Sequence, residues 1–142
     1  MELEIRDLQY EPYPEAIIRH SAHETCQIAA VDLDRLSVVL MDDEQIHEVN
    51  RRFRHRDCPT DVISFEAERE AGEVVGEIII SLETARRQAQ AQGNSYEAEL
   101  AWLTSHGVLH VAGMTDETEE QLERMLELQR IVMNRMELRV YQ

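Results

Sequence analysis

In the stretch HGVLHVAGMTD (106–116), His106 and His110 stand four apart, Gly113 follows the second histidine by three residues, and Asp116 follows the glycine by three. Residues four apart on a helix share a face, with β-carbons about 5–6 Å apart, so one metal ion can bind both imidazoles. In the zinc peptidase pattern H-E-x-x-H the same spacing holds zinc, and the glutamate after the first histidine is the base. Here that position is Gly107, which has no side chain to take a proton. A catalytic zinc is usually held by three protein ligands, with an open fourth position, so a third ligand must come from elsewhere. A glycine can adopt positive φ, end a helix and turn the chain back. The resulting pattern, H-x3-H-x2-G-x2-D, has the metzincin spacing with aspartate in place of the last histidine. A carboxylate oxygen binds zinc at about 2.0–2.2 Å, so the chemistry permits the exchange. Asp116 has a competing reading. It precedes ETEEQLERML, where Asp116 with Glu119 has the spacing of a helix-capping box, and Thr115 and Thr118 are alternative caps.

A second group with chemical potential is RRFRHR (51–56), which places Arg51, Arg52, Arg54 and Arg56 around His55. The chain carries 29 acids against 14 basic residues, for a net charge of −15, and every basic residue is arginine. Such a surface repels nucleic acid at long range. This counts against a general nucleic-acid-binding surface and leaves room for a local basic patch. The run reads either as a solvated helix end, where cations favour the C-terminal dipole, or as a phosphate-binding patch. His55, in a loop beside two arginines, reads as solvent-exposed, and His20, His23 and His47 as surface residues of other helices.

The elements that must position these groups follow from periodicity. LEIRDL near the start alternates as a half-buried strand. EAIIRHSAHETCQIAA reads as a helix with Ile17, Ile18, Ala22, Thr25, Cys26 and Ala29 on one face. LSVVLM (36–41) is a buried strand, followed by Asp42 and Asp43 as N-cap candidates and the helix EQIHEVNRRFR. Pro59 marks DCPTD as a loop. VISF (62–65) is a strand, EAEREAGE a mobile connection, and VVGEIIIS (74–81) a long apolar strand. Ser81 caps the next helix, which Gly93 stops. Asn94 and Glu97 have capping-box spacing for a helix that carries Leu100, Leu103, His106 and His110 and ends at Gly113. The last helix, from about 116 to 138, places Leu122, Met125, Leu126, Ile131, Val132 and Met136 on its inner face.

This order predicts an α/β (α+β) fold, a small mixed β-sheet covered by helices, with a metal site at the end of a core helix. Its 142 residues suit one domain, 1–142, able to bury one core. No apolar run approaches the roughly 18 residues of a membrane span, and the acidic N-terminus lacks the pattern of a secretory signal. Cys26 and Cys58 are far apart and read as free thiols of a reducing, cytoplasmic compartment.

Four segments together resemble the YbeY family of bacterial endoribonucleases of ribosomal RNA maturation. HGVLHVAG is similar to its H-G-x-L-H-L-x-G-Y-D-H helix, CPTDVISFE to its P-T-D-V-L-S-F-P segment, VVGEIIIS to its L-G-D-I-x-I-S strand, and EVNRRFRHRD to its L-N-x-x-Y-R-x-x-D stretch. The segments occur in the family's order from about residue 36 to residue 116. The resemblance implies an α/β metalloprotein that holds zinc on three histidines and acts in 3′-end processing of small-subunit ribosomal RNA and in ribosome quality control. By position, His106 and His110 are the first two ligands, Arg54 matches an arginine facing the metal cleft, and Thr60, Asp61, Ser64 and Phe65 match the segment lining it. The departure is at the third ligand, where this chain has Asp116, preceded by Met114 and Thr115. Asp116 replaces the histidine, or metal binds weakly through two histidines, or the site has lost its metal; charge and geometry favour the first.

The expected function is therefore that of a metal-dependent, single-strand endoribonuclease. It needs one divalent metal per chain, zinc first, with iron, nickel or manganese as alternatives, since two histidines and a carboxylate suit several ions. Metal chemistry can supply what the absent glutamate would, Arg54 can pair with phosphate oxygens, and Arg51, Arg52 and Arg56 can hold the flanking RNA backbone. The expected partners are ribosomal RNA and ribosome-associated proteins, with no membrane. The rival reading is a non-catalytic or weakly metal-binding, ribosome-associated module, which gains weight from Asp116. A peptidase is disfavoured by Gly107, and an iron oxygenase by the helical arrangement of the ligands.

Overall fold

Two long apolar strands, flanked on both sides by amphipathic helices, determine how this chain packs. In the computed structural model, which describes residues 1–141, they are the inner strands of a four-stranded sheet of order β1-β2-β4-β3. The elements are β1 (Glu2–Asp7), α1 (Glu15–Ile28), β2 (Arg35–Met41), α2 (Asp43–Arg54), β3 (Val62–Glu70), β4 (Glu73–Ser81), α3 (Leu82–Gln92), α4 (Tyr96–Val111) and α5 (Glu119–Arg135). β1, β2 and β4 run parallel, with Leu36 opposite Gly76 and Leu40 opposite Ile80, while β3 is antiparallel to β4. Parallel strands are covered on both faces and so read as continuous apolar runs. Alternate residues divide accordingly. Leu36, Val38, Ile78 and Ile80 join Ile18, Leu100 and Leu103 in the main core, and Val39, Ile63 and Ile79 pack with Ile46 of α2 on the opposite face. The expected mixed sheet covered by helices is present.

Three local expectations are corrected. EAEREAGE is not a connection: β3 runs on to Glu70 and turns into β4 through Ala71 and Gly72, both at positive φ (51° and 83°), as a tight hairpin requires. The polar residues of this segment hid a strand whose second half pairs with Val74 and Val75 beyond a register shift between Phe65 and Glu68. The cap of α4 is Ser95, whose hydroxyl accepts from the Ala98 amide at 3.1 Å. Asn94 instead exchanges two hydrogen bonds with the backbone of Tyr141. In α5 the buried positions are Met125, Leu128, Gln129, Val132 and Met133. Leu122 and Ile131, expected inside, are 40% and 39% exposed, because the helix lies on α1 and α4 along a face rotated from the one periodicity suggested.

α4 is apolar on most of its circumference, as befits a helix enclosed by sheet and helices. Its half-exposed stripe carries Trp102, His106 and His110, spaced by four. Two glycines let it lie against the sheet. A β-carbon on Gly76 would collide with the Val111 side chain, and one on Gly107 would stand 3.1 Å from Ile78 Cγ2, 3.3 Å from Ser64 Oγ and 3.3 Å from Val62 Cγ2. Ser64 closes the contact by donating its hydroxyl to the Gly107 carbonyl at 3.1 Å. Position 107 therefore faces the sheet, which is why no catalytic glutamate stands there. Gly107→Ala is expected to lower the unfolding free energy by about 1–3 kcal/mol through overpacking, read by urea denaturation; unchanged stability would mean that α4 has room to spare.

Candidate metal centre

α4 ends in a Schellman turn. Gly113, at φ +94°, donates its amide to the His110 carbonyl at 2.9 Å, and the Met114 amide reaches the Leu109 carbonyl at 3.1 Å. The Met114 side chain packs on the small core of Leu109, Met125 and Leu128, which secures the turn. One consequence is chemical: the turn delivers the Met114 carbonyl to His110 Nδ1 at 2.9 Å. A carbonyl can only accept, so His110 Nδ1 carries the proton.

His106 is fixed in the same sense by a different element. Its Nδ1 lies 3.2 Å from Gln129 Oε1 of α5. Gln129 is fully buried, and its amide nitrogen donates to the Trp102 carbonyl at 3.2 Å, which leaves Oε1 as the acceptor facing the histidine. Both Nδ1 protons are thus committed, and both Nε2 atoms present lone pairs. Those two atoms face each other at 3.0 Å, and Asp116 Oδ2 stands 3.9 Å from His106 Nε2 and 3.7 Å from His110 Nε2. Burial pushes the His106 pKa below the ordinary histidine range, and the neighbouring His110 adds to this, against the opposing pull of Gln129 and Asp116. Ligand atoms about 2.0–2.1 Å from a tetrahedral zinc are about 3.3 Å apart, close to the separations in this triangle. The donor set of two neutral imidazoles and a carboxylate fits zinc, and equally iron(II), nickel or manganese.

Asp116 is available for this role because another residue caps α5. The Thr118 hydroxyl accepts from the Gln121 amide at 3.1 Å, and the Gln121 side chain returns to the Thr118 amide at 3.2 Å. This capping box replaces the Asp116–Glu119 box that the sequence suggested.

The trio opens into a cleft of about 560 Å³ lined also by Arg54, Arg56, Thr60, Asp61, Ser64 and Phe65. Asp61 is held by the Val62 amide at 2.7 Å. α2 ends at His55, which takes the left-handed conformation at φ 57° and lets the Arg56 amide return to the Asn50 carbonyl. Arg54, the last residue of the helix, and Arg56, just past the reversal, both line the cleft. Among the described residues, neither guanidinium has a carboxylate within ion-pair distance. Arg51 and Arg52 are not brought into the cleft. Arg51 pairs with Glu48 at 2.6 Å, and Arg52 stands over the Phe53 ring. Sequence reasoning missed Gln129, the Met114 carbonyl, and Phe53 and Glu66 on the cleft wall. A glutamine among the apolar inner positions of α5 was a readable signal; the others needed the fold.

Comparison with known proteins places the chain among its relatives. A family model described as endoribonuclease YbeY matches residues 2–137. A protein of that name from Picosynechococcus sp. is 36% identical, with the alignment covering 96% of this chain and 89% of the relative. One from Bacillus licheniformis is 40% identical, covering 70% of each. The solution structure of a Thermotoga maritima protein superposes with a TM-score of 0.64 at 25% identity, covering 95% of this chain and 91% of that one.

Two outcomes test the centre. Gln129→Met is expected to weaken zinc binding about 10- to 100-fold by releasing the His106 ring, measured by competition with a chromophoric chelator. Thr118→Ala should cost about 1 kcal/mol of stability and leave zinc affinity intact. Asp116→Ala should do the reverse, and a matching stability loss there would assign Asp116 to the helix cap.

Proposed function

The chain belongs to the YbeY family, and from that membership we propose that it is a metal-dependent endoribonuclease of single-stranded RNA. The proposed role is 3′-end maturation of small-subunit ribosomal RNA and ribosome quality control, with ribosomal RNA and ribosome-associated proteins as partners. The observation that carries the reading is the convergence, in one cleft, of two imidazole lone pairs and a carboxylate with two arginines that have no ion-pair partner among the described residues.

His106, His110 and Asp116 would hold the metal. Bound there, a divalent cation supplies Lewis-acid activation of water and of a phosphoryl oxygen. The protein's own groups do the rest. Arg54 pairs with the non-bridging oxygens of the scissile phosphate, bidentately where the approach allows, and its charge counts most as negative charge gathers in the transition state. Arg56 holds the adjoining phosphate. Gln129 and the Met114 carbonyl keep both rings in the tautomer that presents Nε2. Asp116 removes one positive charge from the site relative to a third neutral histidine. With Asp116 in that place a loaded site would carry less positive charge, and the reaction optimum would lie at higher pH.

The acidic body serves selectivity. With a net charge of −15, RNA is repelled except where Arg54 and Arg56 locally reverse the sign. No helix among the described residues is long and apolar enough to cross a membrane. The second reading, a ribosome-associated binding module without turnover, rests on Asp116 standing where the family resemblance leads one to expect histidine.

Protein purified without chelator or histidine tag should contain stoichiometric metal and cleave single-stranded RNA. Arg54→Ala should lower cleavage about 100-fold or more and flatten the salt dependence of RNA affinity, with metal content unchanged. RNA binding that is indifferent to chelation and unaccompanied by cleavage would establish the module instead.

A further inference from the structure

We propose that Phe53 is a stacking platform for a nucleobase of single-stranded RNA, seated in the metal cleft beside the phosphate-binding Arg54 and Arg56. The inference rests on the RNA reading above and extends it to the base. α2 turns Ile46, Val49 and Asn50 toward the sheet, and Phe53 continues that face four residues beyond Val49. By then the helix has reached the cleft, and the ring is 62% exposed. Among the exposed large apolar side chains of the described residues, Phe53 alone lines this cleft.

The ring is held in place. It meets Phe65 of β3 edge to face, with centroids 6.0 Å apart and planes at 87°, a favourable aromatic geometry that fixes the orientation without enclosing the ring. The Arg52 guanidinium stands 6.0 Å from the Phe53 centroid. Arg54 follows directly in sequence and Arg56 lines the same cleft.

This chemistry selects the occupant. An apolar protein partner would need a contiguous apolar patch, whereas Phe53 is a single ring set among arginines on a strongly acidic molecule. A single RNA strand alternates planar bases with anionic phosphates, and an aromatic ring flanked by guanidiniums matches that alternation. Every base has a π-face, so the platform gives affinity and position with little sequence preference. Stacking at Phe53 would fix the distance between a base and the phosphate delivered to Arg54. Duplex RNA, whose bases are already stacked, would gain nothing from it.

Equilibrium binding of the full-length chain to two short strands of equal length tests this. One is a single-stranded oligoadenylate with a 2-aminopurine reporter, and the other is the same backbone with abasic sites. Both carry 2′-O-methyl sugars and phosphorothioate linkages to resist cleavage. Phe53→Leu, which keeps an apolar contact to Phe65, should weaken binding of the base-bearing strand about 10-fold and leave the abasic strand unaffected. Phe53→Tyr and Phe53→Trp should bind the base-bearing strand as the wild type does and quench its reporter. If Phe53→Leu binds both strands like the wild type, or loses affinity for both equally, the stacking role is overturned while the endoribonuclease reading stands. If the wild type binds neither strand, both fall together.

Discussion

Two neutral imidazoles that turn their lone pairs toward each other at 3.0 Å repel unless something positive lies between them. Much of the surrounding structure serves to maintain this unfavourable arrangement. Gln129 and the Met114 carbonyl take the Nδ1 protons, so neither ring can relieve the repulsion by changing tautomer. Burial makes protonation of His106 costly. The Schellman turn at Gly113 both ends α4 and presents the Met114 acceptor, and the Thr118 capping box starts α5 without drawing on Asp116. Helix termination, usually a matter of local stability, here also sets the orientation of the His110 ring.

The same economy explains the absence of a base beside the first histidine. In the zinc peptidase pattern that position must reach the reacting water. Here it is consumed by packing: Gly107 lies against Val62, Ser64 and Ile78, and Gly76 admits Val111 from the facing strand. Even a methyl group at 107 would stand 3.1–3.3 Å from these side chains and crowd the seam between α4 and the sheet. The helix thus gives up a catalytic group for close approach, and the cleft is left to side chains from β3 and the end of α2.

Charge is distributed with comparable directness. The arginines of RRFRHR behave differently although they are adjacent. Arg51 is paired with Glu48, while Arg54, three residues on in the same helix, and Arg56, just past the left-handed His55, line the cleft. Two cations and one aromatic ring thus meet in one cleft of a molecule whose net charge is −15.

Periodicity and composition by themselves determined the mixed sheet, the five helices and the histidine pair, because alternation, helical spacing and the i, i+4 geometry are local properties of the chain. Ser81, Gly93 and Gly113 were legible as boundaries for the same reason. The second half of β3 was not, since Glu66 to Glu70 form a strand only because β4 offers its edge. The inner face of α5 was misjudged at Leu122 and Ile131, because which stripe of a helix is buried depends on the neighbours it meets. Whether Asp116 served a helix or a metal could not be read from spacing that suits both. Tertiary structure gave the cap to Thr118, left the Asp116 carboxylate beside the two rings, and brought two distant partners, Gln129 and the Phe53–Phe65 pair, to the cleft, since contacts between residues far apart in the chain exist only once the helices have docked on the sheet.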